Sequence, residues 1–159
     1  MERNRINFGK IHVNTTRPTA VAYVGGGADV PKLVGTVKFY QMRGYVIVEA
    51  EICGLPSERK SGFFGFHIHD GSSCSGEDFS ATGSHYDPHG EAHPLHAGDL
   101  PPLLSSGGCA YMAVATDRFR VSDVIGKTVV IHSSPDDFTT QPAGNAGEKI
   151  ACGKIIRIN

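Results

Sequence analysis

Long apolar runs are missing from this chain, and nothing in it approaches the roughly 20 consecutive apolar residues a membrane helix needs. Charge of one sign is also missing. Lys and Arg number 15 against 16 Asp and Glu, a formal net charge of −1. That balance gives no sign of nucleic acid or an anionic membrane, and neither is expected as a partner. Residues 1–19 are polar and basic and lack the apolar stretch of a signal peptide, so a cytoplasmic protein is expected. No helical or heptad period runs through the chain, and there are no repeats and no linker. At 159 residues with 40% hydrophobic composition, one domain with one buried core is expected.

What is present is turn chemistry and histidine. Twenty glycines and nine prolines punctuate short apolar stretches, which favours many strands joined by turns. Residues 20–24 read as a strand closed by Gly25, Gly26 and Gly27. Residues 33–40 alternate, with Val34, Thr36, Lys38 and Tyr40 opposite Leu33, Gly35, Val37 and Phe39. A turn at 41–44 leads into 45–52, where Val46, Val48 and Ala50 oppose Ile47, Glu49 and Glu51. Period-2 alternation of this kind puts one face inward. Further strands are expected at 62–70, 109–115, 127–132 and 150–158, with a short helical turn at 122–125. Residues 71–106 and 133–147 carry almost no strand pattern. Loops this long inside a compact domain are usually functional. The fold class expected is all-β, an antiparallel sandwich or barrel with two long loops.

Seven of the eight histidines fall between His67 and His132, and histidine is the commonest metal ligand. His67 and His69 form an H-x-H pair, and residues i and i+2 of a strand share a face. His85, His93, His96 and Asp99 follow in the first loop, and His132 ends a strand. Three strand histidines plus one loop histidine make an all-nitrogen set suited to copper. Three loop histidines plus a carboxylate make a closed set suited to zinc. Six histidines serve both sets only if one is shared. His12 and His89 read as solvated side chains, with His89 the rival to His93 as a zinc ligand. The four cysteines, Cys53, Cys74, Cys109 and Cys152, do not declare their connectivity, and thiols are the default in a reducing compartment.

Several stretches together resemble the copper/zinc superoxide dismutase family: Gly65-Phe66-His67-Ile68-His69, His85-Tyr86-Asp87-Pro88, His96-Ala97-Gly98-Asp99-Leu100, Gly144-Asn145-Ala146-Gly147 and Ala151-Cys152-Gly153. The likeness runs from about residue 20 to 159 and leaves 1–19 as an N-terminal extension. It implies an eight-stranded Greek-key barrel that converts superoxide to dioxygen and hydrogen peroxide. It implies copper on His67, His69, His85 and His132, and zinc on His85, His93, His96 and Asp99. His85 would bridge the ions and carry a proton in the cycle. Asp136 would link a copper histidine to a zinc histidine from outside both sets. Cys74 and Cys152 would form a disulfide, leaving Cys53 and Cys109 as buried or half-buried free thiols.

The chain departs from the family pattern in four places. Only Pro94 and Leu95 separate His93 from His96, a shorter interval than the family's. Lys149 stands where the family carries an arginine that guides the anion, which implies an active but slower enzyme. The second loop holds no lysine or arginine, which implies weak steering. No proline flanks Cys152 at Glu148 or Ile150, which implies maturation without a dedicated copper chaperone. A homodimer is expected, although Lys154 and Arg157 in the last strand put its interface in question. Two other readings compete: a metal-binding module of the same fold without catalysis, and a zinc-only structural protein. The first usually loses ligands, and the second leaves His67, His69 and His132 unexplained.

Overall fold

The computed structural model describes residues 17–57 and 61–159. Most of the N-terminal extension, with His12, lies outside the described residues. Among the described residues nine strands follow in order: β1 (Ala20–Gly26), β2 (Val34–Gln41), β3 (Val46–Cys53), β4 (Phe63–Phe64), β5 (Phe66–His69), β6 (Leu103–Leu104), β7 (Cys109–Thr116), β8 (Thr128–His132) and β9 (Lys149–Arg157). A single helical turn, α1 (Val121–Val124), precedes β8. Among the described residues no helix is long and apolar enough to cross a membrane.

Seven strands form one antiparallel sheet in the order β5-β8-β9-β1-β2-β3-β7, and β4 pairs with β6 in a small ribbon. The sheet curls into a half-barrel around one core. The all-β antiparallel expectation is borne out, with its eight strands resolved as seven plus a ribbon. Sequence neighbours do not all lie side by side: β9 inserts between β8 and β1, and β7 returns to β3 after the long excursion that carries β4 to β6. That crossed connectivity is of the Greek-key kind.

The alternation read from the sequence sets the core. Val37 and Phe39 on β2 and Val46, Val48, Ala50 and Ile52 on β3 are almost wholly buried. Phe64, Phe66, Ile68, Leu103, Ile131 and Ile155 complete the interior. Removing one of the buried phenylalanine rings costs about 3–5 kcal/mol by the usual cavity penalty.

The strand expected over 62–70 is split at Gly65. The Gly65 N–H donates to Ser134 O at 2.8 Å, and its carbonyl accepts the His132 N–H at 2.8 Å. A Cβ there would sit 2.8 Å from the Ala146 methyl. The chain can cross the second loop only where it has no side chain, so the ribbon ends at Phe64 and the sheet begins at Phe66.

Strand β5 then supplies the platform for the site. His67 pairs with Val130 and His69 with Thr128 on β8. Continuing that register sets His132 opposite Gly65. All three histidines therefore share one sheet face, while Phe66, Ile68, Val129 and Ile131 fill the other. The outer edge of β5 is laced to the first loop. Ile68 N–H donates to Gly98 O at 2.9 Å, and Ile68 O accepts from Tyr86 N–H at 2.8 Å. An edge strand covered in this way presents no free ladder to other chains.

The cysteines need one correction. Cys74 and Cys152 are bonded, as the resemblance implied, tying the first loop to β9. Cys53 and Cys109 are also bonded and are exposed, not buried free thiols. Register explains this: β3 and β7 pair so that Cys53 lies directly opposite Cys109, with Cα atoms 4.1 Å apart. No sequence pattern announces which strands will be neighbours.

The Cys53–Cys109 bond closes a chain segment of 56 residues and pins the outermost strand, β7. Chain-entropy reasoning assigns such a closure up to about 4 kcal/mol. Replacing both cysteines by serine should lower the unfolding free energy in denaturant titrations by about 2–4 kcal/mol. Metal content should be unchanged, since neither residue belongs to either ligand set; an unchanged midpoint would show that β7 needs no staple.

Candidate metal centre

Six histidines and two carboxylates converge on the face of β5 and β8 that points away from the core, under the two long loops. His67 is completely buried and His69, His85, His93, His96 and His132 are nearly so. His67, His69, His85 and His132 form one group of potential ligand atoms within 4.8 Å of one another, and His85, His93, His96 and Asp99 form a second. His85 stands in both. The structure brings together every ligand expected from the sequence. His89 stays outside, exposed, its N–H donating to Asp87 Oδ1 at 3.3 Å, so His93 holds the contested position.

The hydrogen bonds fix which nitrogen of each ring faces inward. His69 Nδ1 lies 2.9 Å from Gly83 O, and His132 Nδ1 lies 3.2 Å from Gly147 O. A carbonyl can only accept, so both Nδ1 atoms carry the proton. The two Nε2 atoms are then bare lone pairs, and they face each other 3.2 Å apart. Two lone pairs at that distance repel unless a cation lies between or beside them. Neither ring solves the problem by taking a second proton. Burial first, then the neighbouring imidazoles, push His132 down to about 3 and His69 to about 2. The Lys149 charge acts on both in the same direction.

Asp136 fixes one ring from each group. Its Oδ2 accepts from His67 Nε2 at 2.7 Å and its Oδ1 from His93 Nε2 at 2.9 Å. The carboxylate is itself buried. Burial alone would raise its pKa, but the bonds from His67, the Phe138 N–H and His93 hold it well below the usual carboxylate range. With both Nε2 atoms protonated, His67 Nδ1 and His93 Nδ1 are left as buried nitrogens without a hydrogen-bond partner, as are His85 Nε2 and His96 Nδ1. Buried polar atoms are rarely orphaned in this way, and four in one site mark a place that cations would fill. Carboxylate–histidine links of this kind set ring tautomer and orientation at metal centres.

The second group centres on Asp99. Its Oδ1 lies 2.7 Å from His85 Nδ1, and its Oδ2 lies 3.0 Å from His93 Nδ1 and 3.3 Å from His96 Nδ1. Ligand atoms of a tetrahedral zinc site are about 3.3 Å apart when the bonds are about 2.0 Å long. The three-nitrogen, one-oxygen donor set and these separations fit zinc. The four-nitrogen set fits copper. His85 offers Nδ1 to one group and Nε2 to the other, which is what a bridge requires.

Lys149 lies beside the copper group but is not free. Its Nζ donates to Thr82 Oγ1 at 2.8 Å and to Gly83 O at 3.0 Å. Gly83 O is the same carbonyl that orients His69. Partial burial lowers the Lys149 pKa. Sequence reasoning missed the carbonyls of Gly83 and Gly147, because a backbone acceptor leaves no trace in residue identity.

The metal-free protein should be acid-sensitive. The buried imidazoles of His67, His69 and His132 lie below their ordinary value of 6.5. Below pH 6.5 the unfolded chain binds protons that the folded chain refuses, so stability falls as pH falls toward 3. The depressed Asp136 acts in the same direction. Calorimetry on chelator-treated protein should show the melting midpoint dropping steadily from pH 7.5 to 3.5; a flat profile would count against buried neutral imidazoles.

The chain matches the family described as copper/zinc superoxide dismutase over residues 33–155. Among curated relatives, a superoxide dismutase [Cu-Zn] of Legionella pneumophila is 34% identical over 86% of this chain and 85% of its own length. One from Deinococcus radiodurans is 33% identical, with 80% of each chain covered. Superoxide dismutase [Cu-Zn] 2 of Aquifex aeolicus is 30% identical over 78% of this chain and 80% of its own. The matched region holds all seven metal-facing side chains and Asp136, and on these grounds the chain belongs to the copper/zinc superoxide dismutase family.

Proposed function

We propose that this chain disproportionates superoxide at the centre formed by His67, His69, His85 and His132, with His93, His96 and Asp99 completing a zinc half that shares His85. The observation that carries the proposal is the shared imidazole with one nitrogen in each group. One superoxide is oxidised to dioxygen; a second, with one electron and two protons, is reduced to hydrogen peroxide. Bound copper supplies the one-electron exchange, and bound zinc supplies fixed positive charge. His85 contributes a proton site. Nδ1 is anchored against Asp99, so the ring stays in place while Nε2 holds and returns a proton.

Lys149 supplies the positive charge that an anionic substrate needs near the site. Two of its three N–H donors are spent on Thr82 and Gly83, which leaves one for superoxide. A guanidinium in its place has five donors and can hold the same anchors while presenting a fork. Lys149→Arg should therefore raise the second-order rate constant severalfold, and Lys149→Ala should lower it about tenfold or more. The second loop, residues 133–148, has no lysine or arginine, so the parent rate should fall only shallowly with ionic strength. Pulse radiolysis across a salt series reads all three, and an arginine variant no faster than the parent would remove Lys149 from this role.

Assembly and maturation are finer readings of the same chain. Lys154, Ile156 and Arg157 on β9 are exposed. They leave a homodimer possible only through a face that tolerates them or through another surface. Glu148 and Ile150 flank the second disulfide without a proline, which supports maturation independent of a dedicated copper chaperone. Pairing of all four cysteines supports an oxidising compartment over the cytoplasmic location expected from composition. One preparation tests these together: expression in cells lacking the chaperone, followed by metal analysis, thiol titration, sedimentation and a superoxide assay. Equal copper and zinc, no free thiol, twice the chain mass and activity are expected. Metal without activity would favour the non-catalytic module, and zinc alone the structural protein.

A further inference from the structure

The contracted His93–His96 interval raises a physical question. With only Pro94 and Leu95 between two buried ligands, this stretch has few backbone groups of its own to hold it. Between His93 and Asp99 the backbone supplies two turn bonds, Leu95 N–H to Ala92 O at 2.8 Å and Asp99 N–H to His96 O at 3.2 Å. A third comes from a ligand itself, with the His96 N–H on Asp99 Oδ2 at 3.0 Å. These bonds shape the turns; the backbone tie to the rest of the fold comes only at the far end, where the Gly98 N–H donates to Tyr86 O at 2.8 Å and Gly98 O accepts the Ile68 N–H at 2.9 Å.

Two side chains from elsewhere hold the stretch from His93 to His96. Gln141, in the second loop, pairs its amide with both backbone groups of His93. Oε1 accepts the His93 N–H at 2.9 Å, and Nε2 donates to His93 O at 2.6 Å. His93 is only 3% exposed, so these backbone groups need a protein partner. A two-point amide pair fixes position and rotation of the peptide plane, which aims Nδ1. Arg118, in the connection from β7 to α1, reaches over the other end. Its Nη1 lies 2.9 Å from Pro94 O, 3.2 Å from His96 O and 3.4 Å from Asp99 O. One guanidinium nitrogen thus gathers carbonyls from both sides of His96.

We propose that Gln141 and Arg118 are positioning residues that preorganise the zinc half of the centre, replacing from outside the conformational support that the shortened loop lacks. Neither touches a ligand atom, and both act through the backbone that carries His93, His96 and Asp99. The inference rests on the zinc reading of that group. Gly144 fits the same picture: a Cβ on it would stand 2.6 Å from His93 Nε2, so the second loop closes onto His93 at three points, Asp136, Gly144 and Gln141.

The test uses the full chain, freed of metal and titrated with Zn(II) against a chelator of known affinity. Co(II) absorption serves as a second readout of tetrahedral geometry, and Cu(II) is titrated separately at the copper group. Gln141→Ala and Arg118→Ala should each weaken zinc about 10- to 100-fold, the usual effect of removing an outer partner at a metal centre. Copper affinity should stay within about threefold. Gln141→Glu keeps the acceptor and loses the donor, and Arg118→Lys keeps one donor; both should fall between parent and alanine. Those conservative variants keep the test alive if an alanine variant does not fold. Zinc affinities within twofold of the parent would overturn the proposal, as would equal losses for copper and zinc, which mark a global effect. Failure of the parent itself to give a tetrahedral Co(II) spectrum would instead overturn the zinc reading on which the proposal stands.

Discussion

The carboxylate of Asp136 is the constraint on which the rest of the centre depends. One oxygen holds His67 and the other holds His93, so a single side chain sets the tautomer of one ring in each group. Without it both rings would be free to present either nitrogen, and the orphaned lone pairs would not be aimed. The bonds are charge-assisted, short and buried, which makes them strong. They also couple the two halves by a second route besides His85. A displacement of the second loop is therefore felt in both sets of ligands.

The scaffold supplies the other half of this precision. Strand β5 is buried on both faces, with Phe66 and Ile68 in the core and His67 and His69 in the site. Its ladder with β8 brings His132 to the same face, and its outer edge is laced to the loop that carries His85, His93, His96 and Asp99. Ligands from a rigid sheet and ligands from a loop are thus fixed to one strand. Gly65 lets the second loop cross at the strand's start, and the Cys74–Cys152 bond ties the first loop to β9. Lys149, the first residue of β9, shares the Gly83 carbonyl with His69. The charge proposed to meet the substrate and a histidine of the copper group thus rest on one backbone group.

Much of this was legible in the residues. Alternation located β2 and β3, and short apolar runs between turn residues located β7, β8 and β9, each to within a residue or two. The ligand sets were legible because few arrangements of His67, His69, His85, His93, His96, Asp99 and His132 can satisfy both a copper and a zinc preference. Other features were not. The split at Gly65, the Cys53–Cys109 bond, the carbonyls of Gly83 and Gly147, and the grip of Gln141 and Arg118 all depend on segments far apart in the chain. A glutamine 48 positions from His93 carries no local sign of its target.

The sequence by itself determined the chemistry: which side chains can ligate, how many there are, and that one must be shared. It also determined the longer strands, since alternation and turn residues act over a few positions. Tertiary structure decided the direction of each nitrogen, the choice of His93 over His89, and the pairing of Cys53 with Cys109. It also decided how a loop too short to hold itself is held. The physical reason is that a ligand's identity is a property of one residue. Its aim is a property of the hydrogen bond on its far side, and that partner arrives only when the strands have found their register.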